Sequence, residues 1–195
     1  MIVCFFGDSL TNGVNDPEGL GWVGRLCNEA RRKGRDITAY NLGVRRQSSR
    51  DILARWQDEA SRRKLGAQPM RLVFAFGAVD ACLDPEVNLE LDESLANARA
   101  ILSEAAKDHE LLMIGPPAVA APEFAQRAAA LSTALGELCE ELDVPFLSIL
   151  PELQESEIYM ADLASGDGVH PGSGGYANIF RLVEGWDAWR AWLKD

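Results

Sequence analysis

Five short apolar runs, at residues 2–6, 37–41, 71–76, 111–115 and 144–149, are separated by stretches of helical spacing, and this rhythm leaves few folds open to the chain. The third run is nearly unbroken in its apolarity, as expected of a central parallel strand covered on both faces. Between the runs, residues 20–33 carry Trp22, Val23, Leu26, Cys27 and Ala30 on one helical face before Gly34 stops them. Ser48 or Ser49 can cap a helix reaching about Lys64, with Ile52, Leu53 and Trp56 turned inward. Asp92 opens a third helix, through Leu95, Ala98, Ile101, Leu102 and Ala105, and residues 123–142 form a fourth on Ala128, Leu131, Leu135, Leu138 and Leu142. Strand and helix alternating five times predict an α/β fold, a doubly wound five-stranded parallel sheet with helices on both faces. Right-handed crossovers then bring the carboxyl ends of all the strands to one edge. The tail, residues 176–193, repeats Ile179, Phe180, Val183, Trp186, Trp189, Trp192 and Leu193 at three or four, which predicts one helix packed on the core.

Nothing in the composition divides the chain, and 195 residues at 47% hydrophobic content suit one domain over 1–195. With 30 acidic against 19 basic residues the formal charge is −11, which repels nucleic acid at long range. The first strand starts at residue 2 without a basic leader, and no apolar stretch is long enough to cross a bilayer, so a cytoplasmic protein without membrane insertion is expected. Cys4, Cys27, Cys82 and Cys139 lack pair spacing and read as reduced, mostly buried thiols, with His109 structural at a helix end.

Chemistry concentrates at two turns. The first run ends in Gly7-Asp8-Ser9-Leu10-Thr11-Asn12-Gly13, which leaves the Ser9 hydroxyl where a strand stops, at the edge where open parallel sheets bind ligands. Far along the chain, Gly166-Asp167-Gly168-Val169-His170-Pro171 sets a carboxylate three residues before an imidazole, close enough to bond one ring nitrogen while the other faces outward. A serine hydroxyl is a poor nucleophile until a base takes its proton, so the three fit together as nucleophile Ser9, base His170 and orienting Asp167. Backbone N–H groups at Ser9 and Gly43, on adjacent strand ends, can serve as donors to an oxyanion. No Gly-x-Ser-x-Gly elbow is present, which sets the chain apart from the usual α/β-hydrolases.

Gly7-Asp8-Ser9-Leu10, the glycine at Gly43 and Asp167-x-x-His170-Pro171 stand in the order and positions of the GDSL, or SGNH, hydrolases, and the chain resembles that family over almost its whole length. The resemblance implies a flavodoxin-like three-layer α/β/α sandwich, hydrolysis of esters or thioesters without a cofactor or metal, and an oxyanion hole completed by an asparagine side chain. Asp8 is then a supporting residue. Where the family reads Gly-x-Asn-Asp this chain reads Gly77-Ala78-Val79-Asp80, and Val79 cannot donate a hydrogen bond. Loss of one such donor slows acyl transfer by roughly a hundred- to a thousandfold, so a slower enzyme is expected. Asn12 and Asn41 read as turn residues. Arg45 and Arg46 admit two readings, a contact for an acidic substrate or a solvated pair.

Two other functions compete. Asp8, Asp80 and Asp167 at strand ends could hold Mg²⁺ for phosphoryl transfer, and Val79 could mark a non-catalytic small-molecule binding protein on the same fold. The ester hydrolase is the expectation; in the metal reading nothing makes an Asp nucleophile and the Asp167–His170 pair would be idle. Its partner would be a small ester or acyl substrate, in a pocket lined by loops 16–22, 45–48, 82–91 and 117–122. No motif speaks to oligomeric state.

Overall fold

A computed structural model describes residues 1–194. Five strands, β1 (Ile2–Gly7), β2 (Thr38–Gly43), β3 (Met70–Ala75), β4 (Glu110–Ile114) and β5 (Phe146–Leu147), form one sheet in the order β2-β1-β3-β4-β5, with every pairing parallel. The expected α/β sheet is therefore present, in the strand order of flavodoxin-like folds. Its register aligns Gly7 with both Gly43 and Ala75, so β1, β2 and β3 finish level. The chain goes from β1 outward to β2 and then crosses back to β3, which makes the gap between β1 and β3 the point where the winding reverses and ligand crevices form.

Helices α2 (Gly21–Arg32), α3 (Ser49–Ser61), α5 (Leu91–Ala105), α6 (Pro122–Glu141) and α9 (Ser173–Gly185) cover the faces, joined by the shorter α1 (Ser9–Asn12), α4 (Ala78–Ala81), α7 (Leu150–Glu155), α8 (Glu157–Ser165) and α10 (Asp187–Trp192). Alternate side chains of β1 serve opposite faces. Phe5 meets Trp22 of α2 edge-on at 5.7 Å and Trp189 of α10 at 6.1 Å, while Phe6 stacks on Phe74 of β3 at 5.3 Å. Phe74 in turn packs against Trp56 of α3. Burying such rings removes about 150–250 Å² each from water and anchors both helical layers to the central strands.

The structure corrects the expected elements in several places. β5 has two residues rather than the six of 144–149, since Pro145 has no N–H to give the ladder and the chain leaves the sheet by Ser148. The tail is two helices rather than one: Trp186 is extended (φ −74°, ψ 128°), ending α9 after Gly185 and leading into α10 at Asp187. Trp189 and Trp192 still reach the core. Helices α7 and α8 fill a segment with no helical expectation, and Ser156, whose hydroxyl accepts the Tyr159 N–H, caps the second of them. Cys4, Cys27 and Cys139 are buried free thiols, burial pushing them up to about 12, 11 and 12, whereas Cys82 is half-exposed. His109 Nδ1 lies 3.1 Å from the Met70 carbonyl, bracing the start of β3. Among the described residues no helix is long and apolar enough to cross a membrane.

Candidate active site

Gly7 lets β1 turn at once into α1. A Cβ there would lie 2.1 Å from Thr11 Oγ1 and 2.3 Å from the Ala75 carbonyl oxygen, the two atoms that hydrogen-bond each other across the gap to β3. Asp8 caps the turn by accepting the Leu10 N–H at 2.8 Å, and Gly13 ends it in a left-handed conformation (φ 91°). Ser9 is thereby the first residue of α1. Its N–H belongs to the initial turn, whose donors have no carbonyl within the helix.

The chain's only route from Ser9 to His170 runs through 161 positions, yet His170 Nε2 stands 2.8 Å from Ser9 Oγ. Asp167 Oδ2 is 2.6 Å from His170 Nδ1, and Asp167 Oδ1 accepts the backbone N–H groups of Val169 (3.0 Å) and His170 (2.8 Å). With a carboxylate on Nδ1, the neutral ring carries its proton there and offers the Nε2 lone pair to the serine hydroxyl. Burial raises the Asp167 carboxyl, but these donors outweigh it and hold it at about 2. Asn15, left-handed at φ 71°, donates from Nδ2 to the His170 carbonyl and fixes the histidine from behind. Sequence reasoning missed that contact; an asparagine in a turn, where left-handed backbone is common, was its sole signal.

Ser9 and His170 open on a cavity of about 220 Å³ whose walls include Leu10, Arg45, Arg46, Ala78, Val79, Cys82, Asp84, Val87, Phe124 and Val169. Two expected loops, 45–48 and 82–91, supply lining residues; loops 16–22 and 117–122 do not reach it, and Phe124 and Val169 take their place. Asp16, which should have been at the rim, instead receives the N–H groups of Glu18, Leu20 and Gly21, the Arg25 guanidinium and the Ser173 hydroxyl, tying the first loop to α9.

Gly43 is the second expected oxyanion donor. Its N–H donates to Asn41 Oδ1 at 3.0 Å, and it is not among the residues lining the cavity. A glycine is needed there because the chain passes so close to α1 that a Cβ would lie 2.3 Å from Asn12 N. Both asparagines are engaged in that crossing, Asn12 Nδ2 donating to the Gly43 carbonyl and Asn41 Nδ2 to the Thr11 carbonyl; they stand at the end of α1 and within β2 rather than in the turns expected of them. The loop wall is made by Arg45 and Arg46, the latter left-handed at φ 67°. Val79 presents an apolar wall from α4.

The acidic trio does not assemble. Asp167 is committed to His170, and Asp8 and Asp80 are buried, Asp80 Oδ1 accepting the Ser49 N–H at 2.7 Å. Burial chiefly, helped by the Asp80 carboxylate and opposed by the Leu10 N–H, pushes the Asp8 carboxyl up to about 7, and burial raises Asp80 as well. Among the described residues no three His, Cys, Asp or Glu side chains are grouped to hold a metal ion.

The profile of the family described as GDSL-like Lipase/Acylhydrolase matches residues 5–177. The uncharacterized protein YpmR of Bacillus subtilis (strain 168) is 33% identical over 61 residues, 30% of this chain; the match spans 24% of that curated relative's length. Among solved structures, Axe2, an acetylxylan esterase from Geobacillus stearothermophilus, superimposes with a TM-score of 0.79 at 20% identity over 93% of this chain and 91% of that one. The psychrotrophic esterase EstA from Pseudoalteromonas sp. does so with a TM-score of 0.74 at 16% identity over 100% and 99%. At these identities the two structures establish a shared fold.

Proposed function

The chain belongs to the GDSL-like lipase/acylhydrolase family, and from that premise we propose that it hydrolyses carboxylic esters or thioesters of short acyl groups through Ser9, His170 and Asp167. What carries the reading is the line of two contacts, 2.8 Å from Ser9 Oγ to His170 Nε2 and 2.6 Å from His170 Nδ1 to Asp167 Oδ2, opening on a cavity. Axe2 supports it: its catalytic mutants replace a serine, a histidine, and an aspartate three positions before that histidine.

In the reaction, the Ser9 hydroxyl passes its proton to His170 Nε2 as Oγ attacks the acyl carbonyl. Asp167 keeps Nδ1 protonated and stabilises the imidazolium that forms. The negative charge on the carbonyl oxygen is met by the Ser9 N–H, and the second donor in this reading is the N–H of Arg46, which lines the cavity where Gly43 does not. His170 then returns the proton to the departing alcohol or thiol, leaving an acyl-serine that water cleaves by the same steps in reverse. A cavity of about 220 Å³ is smaller than the roughly 300–1,000 Å³ of sites for drug-sized ligands, which favours short acyl groups.

Val79 leaves this hole one side-chain donor short, and the enzyme works below the rate of one that has it. Ser9→Ala tests the reading. It should abolish turnover of p-nitrophenyl acetate and labelling by a fluorophosphonate; unchanged turnover would sink the proposal. Wild-type protein that neither turns over short esters nor takes the label would favour the binding-protein alternative.

A further inference from the structure

The cavity beside Ser9 is apolar on most sides, with Leu10, Ala78, Val79, Val87, Phe124 and Val169, but its loop wall is cationic. Arg46 sends its guanidinium across the mouth to Asp84, 2.8 Å away, and to Glu86 at 3.5 Å, so its charge is matched. Arg45 lines the same cavity and is exposed, yet among the described residues it has no hydrogen bond, ion pair or ring contact. Carboxylates outnumber cations in this chain, 30 to 19, and Arg25, Arg32, Arg50, Arg62 and Arg99 each pair with at least one. The Arg35 side chain is likewise exposed and unpartnered among the described residues, but it does not line this cavity; Arg45 stands beside the nucleophile. Asp84, a carboxylate that lines the same cavity, is taken by Arg46.

A second feature points the same way. Arg46 is left-handed (φ 67°), a conformation that costs a residue with a Cβ and would cost glycine little. Strain of this kind persists where surrounding contacts impose it and gathers at ligand sites. Here it accompanies two successive arginines lining the cavity of a nucleophile, one tied across the mouth and one unmatched.

We propose that Arg45, assisted by Arg46, is the specificity-determining element for an anionic group, a carboxylate or phosphate, carried by the substrate a few bonds from its scissile carbonyl. This rests on the hydrolase reading and narrows its substrate class. A guanidinium offers a planar fork of donors that suits a carboxylate or phosphate oxygen pair. The small volume of the cavity keeps such a group near the reacting carbonyl. Arg46 reaches Asp84 and Glu86 through Nη2 and its charge is already matched by them, so the larger effect falls on Arg45.

The test compares p-nitrophenyl acetate, which is neutral, with p-nitrophenyl hemisuccinate, anionic on the acyl side, and with acetylsalicylate against phenyl acetate, anionic on the leaving-group side. One anionic ester should be preferred in kcat/KM over its neutral counterpart, and which one tells the side of the ester on which the charge lies. Arg45→Gln should lower that preference by about 10- to 100-fold, the range of a charge-assisted hydrogen bond, while Arg50→Gln, on the outer surface of α3, should leave it. Added salt should erode the preference of the wild type. Binding is read separately by titrating methyl hydrogen succinate into Ser9→Ala protein, where turnover is off, and into the Ser9→Ala, Arg45→Gln double variant. Turnover of all esters without preference, with binding insensitive to Arg45, overturns the proposal and leaves the hydrolase standing. Arg45-dependent binding without turnover in the wild type overturns the hydrolase and leaves the anion site standing; loss of both overturns both.

Discussion

Replacing Asp167 by asparagine should harm the reaction more than replacing it by alanine, and the geometry says why. One oxygen of Asp167 accepts two backbone N–H groups, those of Val169 and His170, and the other accepts from His170 Nδ1. An asparagine that keeps its carbonyl on the two backbone donors turns its NH₂ toward Nδ1. The ring must then accept there and move its proton to Nε2, where it faces Ser9 Oγ and cannot take a proton. Flipping the amide restores the tautomer but sets the NH₂ against two N–H donors. Reaction then requires the flipped amide, which forfeits the two backbone hydrogen bonds that the charged carboxylate accepts, together about 4 kcal/mol, and so roughly a thousandfold in kcat. The Asp167 side chain is 52% exposed, so water relieves part of the conflict, and the loss stays below the roughly ten-thousandfold of a fully buried triad aspartate. In Asp167→Ala the same water can accept from Nδ1 and preserve the productive tautomer, limiting the loss to about a hundredfold. Initial rates on p-nitrophenyl acetate, corrected for its spontaneous hydrolysis, give the comparison, with thermal melts to show that both variants are folded. An asparagine variant within tenfold of wild type, or faster than the alanine variant, would refute the tautomer argument.

Two further outcomes are expected. Val79→Asn adds an amide to the cavity wall, and kcat for short esters should rise at least about tenfold, a fraction of what a preorganised donor supplies; an unchanged rate would show that this wall does not face the developing charge. Asp8 has its carboxyl raised from 3.8 to about 7 by burial, so between these values the folded state binds the proton more tightly than the unfolded chain. Its contribution is present in full below about pH 4 and is lost as pH rises through about 7, on the order of a few kcal/mol at most. Asp8→Asn keeps an acceptor for the Leu10 N–H and removes the titration, so its melting temperature should vary less with pH across that window; an identical slope would refute the assignment.

The sequence determined the parts whose cause is local. Apolar runs broken by glycine, and helical stripes between them, specify strands and helices because backbone sterics and the need to bury one face act over a few residues, and β1, α2, α5 and α6 stand within a residue or two of where the pattern puts them. Asp167 and His170 were legible as a pair because three residues of turn bring them together, and Pro171 with Gly172 bars a helix there. Tertiary structure decided whatever depends on which distant surfaces meet. The tail helix breaks at Trp186 even though its stripe continues, and Phe124 and Val169 join a cavity that no spacing links to Ser9. Gly43 shows the division most sharply. Its place after β2 suggested a donor facing the substrate, but a direction in space is not written in a position along the chain. Only when β2 is set beside β1 is the Asn41 amide that receives the Gly43 N–H pinned to the Thr11 carbonyl, does the missing side chain of Gly43 make room for α1, and does the cavity wall pass to Arg45 and Arg46.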